Sequence, residues 1–169
     1  MIIIKQRKPN RLKNFDYSSS GYYFVTICTK DRQEYFGNII DNEMNLNDYG
    51  KIIDNIFKSL PIHHCINLDI YQIMPNHIHF ILIIPYRRGF ARKTPTFGNV
   101  TPGSLSCVIR SFKSETTKQI RRFIHQPQFI IWQRNYYDHI IHNEYSLFRI
   151  RKYIKNNPRN WEDDRNNIK

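Results

Sequence analysis

An α+β fold, with helices lying on an antiparallel sheet, is what the sequence predicts. Segments with apolar residues at helical spacing alternate along the chain with short β-branched or aromatic runs, and one pair of such runs is split only by a Pro-Asn turn. Residues 22–29 (YYFVTICT) form the first expected strand, and residues 35–45 place Asp41-Asn42 between short apolar pieces, the pattern of a small hairpin. Residues 46–60 carry Tyr49, Ile52, Ile53, Ile56, Phe57 and Leu60 on one helical face, with Asn47 or Asp48 to cap the helix and Pro61 to follow its end. Residues 66–74 and 78–84 make an antiparallel pair around Pro75-Asn76, and the second run is apolar on both faces, as a buried strand would be. A second amphipathic helix covers residues 105–124. Residues 129–132 and 136–141 are β-prone, Asn143 opens a last helix that Pro158 ends, and the tail WEDDRNNIK reads as polar. Strand, helix, two strands, helix, strand is the order of a ferredoxin-like split βαβ sandwich, here with an extra C-terminal helix.

The chain of 169 residues is read as one domain, 1–169, with residues 1–20 a basic arm and 86–103 a basic loop. It is 40% hydrophobic, too apolar for a disordered chain, and no apolar run approaches the ~20 residues of a membrane span. The formal net charge of +12 draws polyanions. Nucleic acid is favoured over a membrane surface, because the basic residues are scattered rather than gathered on one amphipathic anchor. Cys28, Cys65 and Cys107 show no C-x-x-C spacing and read as reduced, buried thiols. The N-terminus lacks the order of a secretory signal, so a cytoplasmic location is expected.

His77-Ile78-His79 lies in the buried second strand of the pair. Side chains alternate along a strand, so both imidazoles face one side, roughly 6–7 Å apart by strand rise, and can share one ligand. An isolated H-x-H is more often a pair of hydrogen-bonded core or surface residues. Its apolar flanks here call for partners that repay desolvation, and a divalent metal is one that serves both rings. On the last helix Tyr153 and Asn157 stand at i and i+4, on one side. Taken alone they read as helix packing and a cap before Pro158. If that side faces the histidines, Asn157 offers a third, oxygen ligand beside the phenol.

Residues 22–29, Met74-Pro75-Asn76-His77-Ile78-His79, residues 132–139 (WQRNYYDH) and Tyr153-Ile154-Lys155-Asn156-Asn157-Pro158, in this order, resemble the IS200-like, REP-associated tyrosine transposases, single-strand nucleases of the His-hydrophobic-His (HUH) class. The resemblance spans most of the chain. It implies a metal-dependent enzyme that cuts and rejoins single-stranded DNA through a 5′-phosphotyrosine, at sites associated with hairpins. Tyr153 would be the nucleophile, and His77, His79 and Asn157 the ligands of a divalent metal, Mg²⁺ or Mn²⁺. The residue three after Tyr153 is Asn156, not the lysine of replication initiators and relaxases, which favours the transposase branch.

DNA contacts are expected from Lys5, Arg7, Lys8, Arg11 and Lys13 in the arm, Arg87, Arg88, Arg92 and Lys93 in the loop, and Arg110 and Lys113 on the second long helix. Tyr22, Phe90, Phe97 or Trp132 would stack on unpaired bases. Single-stranded DNA with hairpin structure is the expected partner, a membrane is not, and a homodimer is compatible with the sequence. The competing reading is a non-catalytic RRM-like module with aromatics on an open sheet; it lacks an RNP1 run and leaves the histidine pair without a purpose.

Overall fold

The computed structural model describes residues 16–86 and 103–167. Strand β1 (Gly21–Cys28) is followed by a hairpin of β2 (Gly37–Ile40) and β3 (Glu43–Leu46), helix α1 (Asp48–His63), strands β4 (Asn67–Met74) and β5 (His77–Ile84), helix α2 (Leu105–Phe123), strand β6 (Tyr137–Ile141) and helix α3 (Glu144–Asn156). The main sheet runs β4-β5-β1-β6, every neighbouring pair antiparallel. This is the expected split βαβ order with α3 added.

Period-two alternation sorts the sheet into two faces. Val25 and Ile27 of β1 and Ile78, Phe80 and Leu82 of β5 point to one side, where α1 and α2 supply Phe57, Leu60, Val108 and Phe112 to the main core. Phe24 and Ile81 point to the other, where α3 closes a smaller core with Leu147 and Ile154. Arg151 Nε on α3 donates to Asp69 Oδ2 on β4 at 2.7 Å and fixes that helix over the sheet. Both faces are therefore covered, and among the described residues the sheet presents no open aromatic platform of the RRM-like kind.

Local chemistry sets the element ends. Asp41 and Asn42 take the left-handed φ values, 51° and 65°, that a two-residue hairpin turn demands. Asn47, not Asp48, caps α1 by accepting from the Gly50 amide, and Asn143 caps α3 through Ser146. Pro61 lies inside α1 rather than beyond it, because at the last turn it removes only its own N–H from the ladder. Among the described residues no helix is long and apolar enough to cross a membrane.

Three expectations are corrected. Residues 129–132 form no strand: only an isolated bridge joins Thr29 to Trp132, whose ring is buried against Phe36 and Phe112 and whose Nε1 donates to Thr116 Oγ1 at 2.8 Å. Trp132 is core and cannot stack on a base. Of the cysteines only Cys28 is buried, while Cys65 is exposed and Cys107 partly so. The polar-looking tail folds back as a 3₁₀ helix, Pro158–Asp163, and buries Trp161 with its ring centroid 6.0 Å from that of His77.

Helix α1 meets the hairpin at Gly50, where an added Cβ would lie 2.3 Å from the Phe36 backbone oxygen. Alanine should improve helix propensity by about 1 kcal/mol, yet here overpacking against rigid backbone dominates. Gly50→Ala is expected to destabilise the protein by about 1–3 kcal/mol in urea titration.

Candidate active site and metal centre

The site lies on the α3 face, at the end of the sheet where β5 begins. His77 and His79 are fully buried on β5, opposite Cys28 and Thr26 of β1. Their rings converge more than the strand repeat alone requires, with centroids 4.4 Å apart and the two Nε2 atoms at 3.0 Å. The Nδ1 atoms point away and are tied: His77 Nδ1 to Asn76 Oδ1 and His79 Nδ1 to Thr26 Oγ1, each at 2.8 Å.

Asn76 decides the tautomer of His77. Its Nδ2 donates to the carbonyls of Arg32 and Asn166, so its Oδ1 must face the ring and accept the Nδ1 proton. His77 Nε2 is left as a lone pair aimed at His79 Nε2. Two such nitrogens at 3.0 Å repel unless a proton or a cation lies between them.

Helix α3 and the tail complete the cluster. Tyr153 Oη is 3.0 Å from His79 Nε2 and donates toward Asp164 Oδ2 at 3.3 Å. Asn157 Nδ2 donates to Asp164 Oδ2 at 2.7 Å, whereas Asn157 Oδ1 is a buried acceptor with no partner among the described residues. Asp164 Oδ1 accepts from the Asn166 amide. Ligand atoms of His77, His79 and Asp164 lie within 4.8 Å of one another. Two neutral imidazole nitrogens, a carboxylate and an orphaned amide oxygen facing inward fit a divalent cation. A cleft of about 430 Å³ lies beside the cluster, lined by Phe24, Tyr137, Tyr153, Asn157, Asp164 and Arg165, with the two imidazoles buried behind this wall.

The electrostatics favour neutral rings. Burial, with Arg32 and Arg165 nearby, lowers His77 to about 4 despite the opposing pull of Asp164. Burial and the charge of a protonated His77 hold His79 well below the ordinary histidine range. Burial and then the Asp164 carboxylate push the Tyr153 phenol up to about 12. Burial would raise Asp164, but hydrogen bonds from Asn157 and Asn166 outweigh it and keep the carboxylate ionised.

The structure thus brings together all four residues singled out in the sequence, Tyr153, His77, His79 and Asn157. The DNA-contact candidates Lys5, Arg7, Lys8, Arg11, Lys13, Arg87, Arg88, Arg92 and Lys93 lie outside the described residues. Arg110 is exposed on α2. Lys113 is engaged elsewhere: its Nζ donates to the carbonyls of Gln133 and Asn135 at 2.7 and 2.9 Å, and burial lowers it to about 8. Sequence reasoning missed Asp164, Thr26, Asn76 and Arg165. The one signal for Asp164 was Trp161, a large aromatic in an otherwise polar tail, which had to find a place to be buried.

The depressed histidines set a pH dependence. Between about 4 and 6.5 the unfolded chain binds a proton at position 77 that the folded chain refuses, so stability falls as the pH is lowered through that window. The thermal midpoint of metal-free protein should drop from pH 6.5 to pH 4, with His77 contributing of order 3 kcal/mol. His77→Gln should flatten the drop.

No protein-family model matches the chain. It is 38% identical to an uncharacterized protein of Haemophilus influenzae, over 95% of this chain and 93% of that protein. It is 24% identical to a second Haemophilus influenzae protein, named a REP-associated tyrosine transposase, over 85% of this chain and 73% of that one. Among solved structures it shares its fold with a REP-associated tyrosine transposase bound to a REP hairpin, at a TM-score of 0.62 and 16% identity over 89% of this chain and 74% of that one. The chain is thus similar in fold to a REP-associated tyrosine transposase and, at 24% identity, similar in sequence to a protein of that name.

Proposed function

We propose that the protein is a metal-dependent single-strand DNA nuclease and strand transferase of the HUH class, with Tyr153 as nucleophile, acting at hairpin-associated sites. The observation that carries this reading is the phenol of Tyr153 at 3.0 Å from His79 Nε2, beside a second buried imidazole whose Nε2 lone pair faces the same point. A tyrosine that merely packed the helix onto the sheet would not need its hydroxyl there. The hairpin in the related structure makes a folded single strand the natural substrate class to test.

His77, His79 and the orphaned Oδ1 of Asn157 would hold a divalent ion, with Asp164 also within ligand reach; Mg²⁺ or Mn²⁺ suits this nitrogen-and-oxygen set. When bound, the ion would supply Lewis-acid stabilisation of charge on the phosphate and ease ionisation of the phenol. Asn76 and Thr26 hold the two Nδ1 atoms, so both Nε2 atoms are turned inward before any substrate arrives, that of His77 as a lone pair. Tyr153 Oη attacks the phosphorus, forming the Oη–P bond as the P–O3′ bond breaks. The phenol proton passes to Asp164 Oδ2, toward which Oη already donates at 3.3 Å, and the departing 3′-oxygen takes up a proton from solvent. The ester's energy is kept in the phosphotyrosine, so a 3′-hydroxyl can reverse the step and rejoin the strand without ATP.

Arg165, with its guanidinium 5.5 Å from the Tyr137 ring centroid, and the exposed Arg110 offer cations to the backbone. The basic arm at residues 1–20 and the loop at 86–103 are proposed to add others.

Tyr153→Phe removes one oxygen and keeps the ring, so the folded variant should bind a hairpin-bearing single strand with parental affinity and form no SDS-resistant adduct. An adduct formed at the parental rate by this variant would overturn the assignment. Replacing His77 and His79 together by Ala should abolish Mn²⁺-stimulated cleavage while most DNA affinity survives. Asp164→Asn should slow adduct formation about 10²-fold, the usual contribution of a positioned proton acceptor.

A further inference from the structure

Across the sheet from α3 and Tyr153, the layer built by α2 carries a groove of about 960 Å³ in which the strand-cutting reading places no role. We propose that it docks an acidic segment of another protein, one that sets a single aliphatic or aromatic side chain among its carboxylates.

The groove forms because the chain turns back on itself. Helix α2 ends at His125, in left-handed backbone with φ 56°, and the amides of His125 and Gln126 donate to the carbonyls of Arg122 and Arg121. This paired closure of a helix C-terminus redirects the chain, and residues 127–132 return alongside α2 as the opposite wall. That wall is pinned to the helix at two points. Arg121 Nε donates to the Phe129 carbonyl at 2.8 Å, and Trp132 Nε1 donates to Thr116 Oγ1 at 2.8 Å. A partner therefore meets a groove that is already shaped, and docking requires little ordering of it.

The two walls differ in chemistry. On the helix side Lys118 and Arg122 are exposed one turn apart, with Arg121 between them, and no carboxylate is among the described residues that line the groove. One cation would answer the partial negative charge at the end of the helix, and three are present. Lys118 otherwise makes a solvent-exposed contact with Glu115 at 3.7 Å, of a kind that contributes little. The returning side is apolar. Ile130 is 55% exposed and Pro127 is exposed with it, while Ile131 and Trp132 are buried.

Charge rules out the occupants nearest at hand. Residues 1–15 and 87–102 carry lysines and arginines without one Asp or Glu, and a second copy would bring a formal charge of +12 to a basic wall. The chain's own acidic run at 162–164 is held at the Tyr153 cleft by the hydrogen bond from Asn157 to Asp164. The occupant is therefore an anion from outside the chain. An unpaired DNA strand would want a ring on which to stack, yet Trp132, the large aromatic of the lining, is packed against Phe36 and Phe112. An exposed isoleucine facing cations instead matches a peptide whose apolar anchor is flanked by carboxylates, the buried centre and charged rim of a protein interface.

The test uses the full chain at about 0.15 M salt, where distant charges are screened. The probes are two fluorescein-labelled peptides made of aspartates, one with a leucine at its centre and the other with a serine there. The leucine peptide should bind about tenfold more tightly, the effect of burying one such side chain. Ile130→Ser should remove that difference, and Lys118→Glu together with Arg122→Glu should weaken both peptides by about tenfold or more. Equal binding of the two peptides by the parent, or a leucine preference that survives Ile130→Ser, overturns the proposal. Adduct formation on a hairpin-bearing strand should stay at the parental rate in these variants, because Tyr153 lies across the sheet. A loss of affinity for that strand in the Lys118/Arg122 variant, by the same factor as for the peptides, would make the groove a nucleic-acid track and overturn the proposal too.

Discussion

Strand β5 has neighbours on both edges and layers on both faces, and its side-chain alternation constrains everything else in the molecule. Ile78, Phe80 and Leu82 are committed to the core beneath α1 and α2, so His77 and His79 have no choice but the opposite face. A slip of one residue in its pairing would exchange the two sets, placing imidazoles in a hydrocarbon core and aliphatics beneath α3. The register is held from both edges, by β1 and β4, and a histidine pair needed in one orientation is well placed on a strand so held against sliding.

Holding two imidazoles in that position has an electrostatic cost that the surroundings only partly offset. Desolvation and nearby guanidinium groups disfavour protonation, Asn76 and Thr26 satisfy the outward nitrogens, and the inward nitrogens are left facing each other. The same arrangement is preorganised for a cation, because the two Nε2 atoms already converge and no ring must turn to receive one. Asp164 supplies the nearby negative charge, at the expense of a phenol that is harder to ionise unaided.

Much of this was legible in the sequence because it is local. Hydrophobic spacing located α1, α2 and the paired strands. Strand alternation put His77 and His79 on one face, and the helical i, i+4 relation put Tyr153 beside Asn157. Residues 129–132 misled because a core-filling segment has the same apolar and aromatic character as a strand, and only the partner at Thr116 shows that Trp132 is plugged into α2. Asp164 and Asn166 were invisible for a different reason. Their roles depend on a chain reversal after Pro158 that carries no periodicity, and acids among Asn and Arg read as solvated tail. Lys113 looked like any basic residue on a helix face until its two carbonyl partners were in view.

The fold-back of the tail gives the site an unusual place in the order of synthesis. The histidines belong to β5, but the carboxylate at their side comes 85 residues after His79. A nascent or truncated polypeptide ending within α3 would possess the sheet, the imidazoles and the phenol, yet lack Asp164, Arg165 and Asn166. Such a polypeptide would hold the two imidazoles and the phenol without the closing wall of the cleft, so the cluster is assembled only once the segment after Pro158 has been made and has folded back.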